Sequence, residues 1–260
     1  HPEAAIAFST TGIPFQPIYQ SALMLYGRVT QYDEYDGIIE DEKLGRKFAE
    51  KLGDHAPHLY GTNAFEFTRG GSGTYNENLW HMDGCWRGPE LPRWDFNVLR
   101  PIKLPNIRGA GDTVFSNVEK AYQELSPAFR RRIEKLEVVH SFANNRPTRK
   151  NFEDGKSREE VEAEFPPQTA PLVKYHPKTG NPYFDANQAF TSHVVGVSRA
   201  ESNRILQRLY DFVKKPDWQM RVDWNPQKIV IWDDRGTQHY AVRDYWPKER
   251  TMEKITITDD

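Results

Sequence analysis

Eight short stretches of this chain, at 23–26, 65–68, 96–99, 138–141, 172–175, 220–224, 229–232 and 255–258, have the length and apolar content of β-strands. Gly- and Pro-containing turns separate them, and helical patterns do not alternate with them regularly. A doubly wound parallel sheet is therefore disfavoured, and a β-sandwich or barrel decorated by a few helices is expected. Leu44, Phe48 and Leu52 recur every four residues and stop at Gly53. Asn117 can cap a helix through Val118, Ala121, Tyr122 and Leu125. Ser126-Pro127 reads as a second cap with Pro at the first helical position, leading into Phe129, Ile133 and Leu136. Ser198 and Glu201 have capping-box spacing ahead of Ile205, Leu209 and Phe212, and Pro216 closes that helix.

With 37% hydrophobic and 13% aromatic residues among 260, the chain can bury a sizeable core. Its 35 Lys+Arg against 37 Asp+Glu leave a net charge of −2, with no basic footprint for nucleic acid and no polybasic patch for a membrane. The single Cys85 excludes an internal disulfide framework and a thiolate zinc cluster, and it suits a reducing, cytoplasmic setting. The chain opens on His1 with neither a methionine nor a signal-peptide pattern, so one domain over 1–260 is expected, lacking its native N-terminal segment. The polar stretch 144–168, with Pro147, Gly155, Pro166 and Pro167, is expected as a surface loop or lid over the site, with a short helix at 157–164.

Two stretches carry chemistry. In His81-Met82-Asp83, an extended backbone would point the imidazole and the carboxylate to the same side, where both can meet one ion. In Asp233-Asp234-Arg235-Gly236-Thr237-Gln238-His239, the histidine lies just past the apolar strand 229–232. Two histidines and one carboxylate make the facial triad of non-haem iron(II) oxygenases, which leaves coordination positions open. Arg250, eleven residues beyond His239, can return on the next strand toward the same cavity, where a guanidinium fork pairs with a carboxylate. His140, His176 and His193 read as structural or surface residues. Arg235 reads as a tie to Asp233 or Asp234, and Arg130-Arg131-Arg132 as a solvated helix face.

At this point the sequence resembles the taurine/2,4-dichlorophenoxyacetate group of iron(II)- and 2-oxoglutarate-dependent dioxygenases. The stretch WDDRGTQHYAVRDYWPKERTMEKITIT, at 232–258, matches that group's C-terminal signature nearly throughout. Trp80-His81-Met82-Asp83 matches its WHxD, and Gly111-Asp112-Thr113 with Ala121-Tyr122 and Leu125-Ser126 matches GGDT…AYxxLS. His176-Pro177-Lys178-Thr179-Gly180, then Asn187-Gln188-Ala189-Phe190-Thr191, matches HPxTG…VNxxFT.

The resemblance implies a mainly β fold with flanking helices around a double-stranded β-helix (jelly-roll) core. It implies Fe(II) held by His81, Asp83 and His239, the catalytic triad, and 2-oxoglutarate as cosubstrate with O2. Arg250 would bind the distal carboxylate of 2-oxoglutarate, and Thr113 would donate its hydroxyl to the same molecule. A small, anionic organic substrate would be oxidised, by hydroxylation first of all, with release of succinate and CO2. Asp83 itself argues for oxygenation, because relatives that halogenate lack this carboxylate. Desaturation, cyclisation and C–heteroatom cleavage stay open as outcomes, since they depend on substrate pose at about the ångström scale. A cupin-like metal protein is the alternative that Arg250 and Thr113 argue against. For the substrate, Tyr60, Asn78, Phe190 and Lys254 are candidates. Lys254 stands where taurine-type members carry a second Arg, and gives a point charge instead of a planar fork. Trp86, in Gly84-Cys85-Trp86, would narrow the pocket or build an aromatic wall. The partner expected is a small molecule, with neither nucleic acid nor membrane; self-association into a homo-oligomer stays open.

Overall fold

The computed structural model describes residues 65–69, 78–88, 93–145 and 157–257, with backbone alone at 65–69 and 145. The strand expected at 23–26, the helix ending at Gly53 and the candidate Tyr60 lie outside the described residues. Within them the chain is mainly β with flanking helices.

The first sheet has the order β1 (Phe65–Arg69), β12 (Arg250–Ile257), β2 (Phe96–Lys103), β10 (Val230–Asp233), and the second β11 (Thr237–Ala241), β3 (Thr113–Asn117), β9 (Gln219–Val222). Every pairing in both is antiparallel. Leu99, Trp232 and Met252 from the first sheet meet Phe115, Val222 and Trp224 on the side of the second, forming the core between them. Fully burying a side chain such as Met252 stabilises by roughly 1.5–3 kcal/mol. Alternation along β12 turns Arg250, Met252, Lys254 and Thr256 inward, while Glu253, Ile255 and Ile257 are only half-buried. The turn between β10 and β11 passes the chain from one sheet to the other, and Gly236 (φ +74°) supplies its left-handed residue.

Outside these sheets lie a third, β5 (Gln168–Pro171), β4 (Glu137–His140), β8 (Thr191–Val194), and the pair β6 (Val173–Tyr175), β7 (Pro182–Phe184). Helices α1 (Val118–Gln123), α2 (Pro127–Ile133) and α4 (Arg199–Val213) bury Val118, Ala121, Tyr122, Ile133, Ile205 and Leu209 against them. Asn117, Ser126 and Ser198 each accept a backbone N–H at the start of their helix, as the cap patterns predict. Helix α3 (Arg158–Glu164) opens on a complete capping box between Ser157 and Glu160. Residues 146–156 of the expected lid lie outside the described residues, but both flanks are seen. The 3-10 turn Phe142–Asn145 and Phe165 at the end of α3 pack together, with Phe142 and Phe165 ring centroids 5.2 Å apart. Among the described residues no helix is long and apolar enough to cross a membrane.

Candidate active site

His81 and His239 pair as an isolated antiparallel bridge, His81 N–H donating to His239 O at 3.1 Å and His239 N–H to His81 O at 2.9 Å. This ladder fixes both backbones against the strand β11. Met82, between the two candidate ligands, points the other way into the core and is fully buried, so His81 and Asp83 face one side. His81 Nε2 lies 3.9 Å from Asp83 Oδ1, and His239 Nε2 lies 3.5 Å from Asp83 Oδ2. One ligand atom from each of the three residues falls within 4.8 Å of the others. His81 Nδ1 sits 2.7 Å from Leu79 O, a geometry that needs the proton on Nδ1 and leaves the Nε2 lone pair for a metal. Both rings are oriented by packing: His239 lies against Phe115 and Trp232, with centroids 5.9 and 4.9 Å away.

The electrostatics suit a divalent cation. Burial, then His81 and Lys254, hold the His239 imidazole well below its usual range and favour its neutral form. Burial alone would raise the Asp83 carboxyl, but Lys254, His239 and His81 outweigh it and keep the group well below the usual carboxylate range. Lys254, expected as a substrate cation, has its ammonium on Asp83 Oδ2. Its neighbour Glu253 faces the opposite side of β12 and pairs with Arg100. Asp234, next in the turn, is fully buried; burial and the nearby Asp83 push its carboxyl well above the usual range and favour its neutral form.

At the other end of β12, Arg250 Nη2 donates to Thr113 Oγ1 at 3.2 Å, and Trp224 Nε1 donates to the same oxygen at 3.0 Å. With both lone pairs engaged, the Thr113 hydroxyl proton is left to donate outward. A Cβ at Gly111 (φ +75°) would stand 3.0 Å from Arg250 Cδ, so glycine leaves the room that the guanidinium stem fills.

Phe190 packs edge-on against His81, centroids 6.3 Å apart, and stacks on Phe142 at 6.4 Å. Trp86 joins Phe142 at 4.5 Å and Phe165 at 5.2 Å, so an aromatic wall links the segment of the candidate ligands to both flanks of 146–156. Asn187 orients Phe190 by accepting its backbone N–H at 2.9 Å, and donates to Cys85 Sγ at 3.3 Å. Asn78 uses its amide nitrogen on Ala241 O at 2.8 Å, bracing the end of β11. His176 and Arg235 both converge on Asp233: His176 Nε2 lies 2.9 Å from Oδ2, and Arg235 Nε lies 3.1 Å from Oδ1.

Sequence reasoning missed what stands behind the loop. Arg93 donates to Asp185 Oδ2 at 3.0 Å and to Met82 Sδ at 3.2 Å, and Asp185 also meets Lys174 Nζ at 2.6 Å. This ionic group around the buried Asp185 anchors Met82, the residue between two candidate ligands. Asp185 within the strand-like Phe184-Asp185-Ala186 was its one sequence signal, a charge inside an apolar run. Trp224 was read as a strand end, and nothing in its spacing points to Thr113.

Two imidazoles and one carboxylate converging on a strand edge fit iron(II) better than a thiolate-rich structural zinc or an all-oxygen calcium site. That places the chain among non-haem iron oxygenases. The family described as "Taurine catabolism dioxygenase TauD, TfdA family" matches residues 42–256, and the chain belongs to it. It is 30% identical over 223 residues to an alkylsulfatase of Acinetobacter baylyi, covering 82% of this chain and 68% of the relative. An alpha-ketoglutarate-dependent sulfate ester dioxygenase of Pseudomonas putida is 28% identical, covering 85% of this chain and 74% of the relative. The crystal structure of a taurine dioxygenase from Burkholderia xenovorans superposes with a TM-score of 0.59 at 23% identity, over 82% of this chain and 68% of that one. The likeness at that identity concerns the fold. The protein is an iron(II)- and 2-oxoglutarate-dependent dioxygenase.

Proposed function

We propose that this dioxygenase hydroxylates a small organic substrate bearing an anionic group, with release of succinate and CO2. The observation that carries the reading is the convergence of His81, Asp83 and His239 within 4.8 Å on one rigid strand edge. These three residues would hold the iron. The bound iron, with 2-oxoglutarate and O2, supplies the oxidation, decarboxylation of the cosubstrate accompanying oxygen insertion into a substrate C–H bond. Arg250 would bind the distal carboxylate of 2-oxoglutarate, and the outward proton of Thr113 would be donated to the same molecule. Phe190 and Trp86 would line the substrate side and exclude water, and Lys254 would meet the anionic group. The relatives named for sulfate esters support an anion.

The reading includes one oxygenase domain with a double-stranded β-helix core, whose two walls would be the sheets β1-β12-β2-β10 and β11-β3-β9. It includes residues 144–168 as a lid, supported by the anchoring of both flanks on Trp86. A cytoplasmic setting, with no nucleic-acid or membrane partner, rests on the near-neutral charge and the single cysteine. The test is succinate release by the Fe(II)-loaded protein with 2-oxoglutarate, O2 and a panel of alkyl sulfates, sulfonates and phenoxyacetates. Coupled release with an anionic member, lost in His81→Ala, is expected. A neutral compound as sole productive substrate, or undiminished release by His81→Ala, would overturn it.

A further inference from the structure

We infer that Lys254 is an exchangeable cation that couples metal loading to capture of the substrate's anionic group; the inference rests on the anionic-substrate reading above. The carboxylate oxygen that the ammonium touches, Asp83 Oδ2, is also the oxygen 3.5 Å from His239 Nε2. A divalent cation bound by Asp83 on that side and by the imidazoles would share one oxygen with the ammonium, and two cations on one oxygen repel.

Metal and Lys254 therefore compete for Asp83. While on Asp83 the ammonium also lies 5.9 Å from the Trp94 centroid and 5.8 Å from the Trp232 centroid, so a shift off the carboxylate oxygen keeps it beside two aromatic rings. Those ring faces favour a cation without neutralising it. A further carboxyl within electrostatic reach, Asp234, is pushed by burial and Asp83 toward its neutral form. A flexible four-carbon stem allows a shift of a few ångströms that a planar, forked guanidinium would resist. An anionic ligand then replaces Asp83 as the counter-charge of Lys254, and releasing Asp83 favours the metal. Arg250 cannot take this part, since it stands four residues away on the same face, roughly 13 Å along an extended strand.

The experiment is calorimetric titration of the whole chain with Mn(II), without 2-oxoglutarate, in the presence and absence of hexyl sulfate or hexanesulfonate, both poor metal ligands. In the wild type a saturating probe should tighten Mn(II) binding about tenfold, and Mn(II) should tighten the probe by the same factor. Lys254→Met should bind Mn(II) about threefold or more tightly than wild type without any probe, because the competing cation is gone, and its affinity should no longer respond to the probe. A probe that binds yet leaves Mn(II) affinity unchanged overturns the exchange alone, as does weakened Mn(II) binding in Lys254→Met. Failure of both probes to bind the Mn(II)-loaded wild type overturns the anionic reading beneath it. The wild-type titrations stand even if the variant does not fold.

Discussion

At one end of the inner face of β12, Arg250 donates to Thr113, lies 6.0 Å from the Trp224 ring centroid, and runs past Gly111. At the other end, Lys254 rests on Asp83, itself a candidate metal ligand. Both are buried cations on one strand, four residues apart, and their surroundings give them different work. A planar, permanently charged fork held by fixed partners is preorganised for a dicarboxylate that arrives in a single pose. A flexible ammonium on a ligand oxygen is held by a charge that a metal can compete for. On the proposed reading, one end of the strand would be a fixed receptor and the other an exchange point.

The largest effect comes from removing what the exchange point shares with the metal. Asp83→Ala deletes both a candidate ligand and the partner of Lys254, and succinate formation should fall to background with every substrate. Normal succinate release by this variant would remove Asp83 from the metal site and erase the distinction between the ends. Next, Arg250→Ala should raise the 2-oxoglutarate KM by roughly 30- to 100-fold, the loss expected when a buried charged partner is truncated, and leave the substrate KM within about twofold. Equal rises in both KM values would show that the two ends act on one ligand.

These contrasts were unevenly legible in the sequence. The candidate ligands and Arg250 could be named from their spacing around strand-like stretches, while Thr113 was named only through the resemblance to the dioxygenase family. Strand β12 was expected by its apolar pattern only at 255–258; Arg250 was expected on a strand toward the cavity, but the charges at Arg250, Glu253 and Lys254 hide the alternation that runs back from Thr256 through Met252. Strands β3, β5, β7, β8 and β11 were not expected. TVFSN, TSHV and TQHYA are short and polar, and they are strands because neighbouring strands and the opposite sheet satisfy them. What could not be read at all were long-range pairings: Lys254 on Asp83 and Arg93 on Met82 and Asp185 span 171, 11 and 92 positions. Single-sequence patterns carry no information on which buried charges meet.

A smaller effect tests the brace around Arg250. Gly111→Ala places a methyl 3.0 Å from Arg250 Cδ on a residue whose φ of +75° disfavours any side chain. The conformational cost is about 1–2 kcal/mol, and the guanidinium must shift to admit the methyl. The 2-oxoglutarate KM should rise about tenfold, less than for Arg250→Ala, because the charge remains. Steady-state kinetics in 2-oxoglutarate, beside a thermal melt, separates this from loss of fold. An unchanged KM in a folded variant would mean that the fixed receptor does not depend on its cradle.

The smallest effect is the most discriminating. Thr113→Val keeps the shape of the side chain and deletes one hydroxyl, which accepts from Arg250 and Trp224 and has its own proton free for the cosubstrate. Removing it costs one donated hydrogen bond to a ligand and leaves two buried donors to find water, about 1–1.5 kcal/mol at the site. The 2-oxoglutarate KM should therefore rise about five- to tenfold, while Mn(II) affinity and its response to hexyl sulfate stay at wild-type values. Thr113 touches only the fixed end, so any change in the metal–anion coupling would carry its influence past Met252 to Lys254. Such a change would require the two cations to be treated as one electrostatic unit, and the contrast between them would fail.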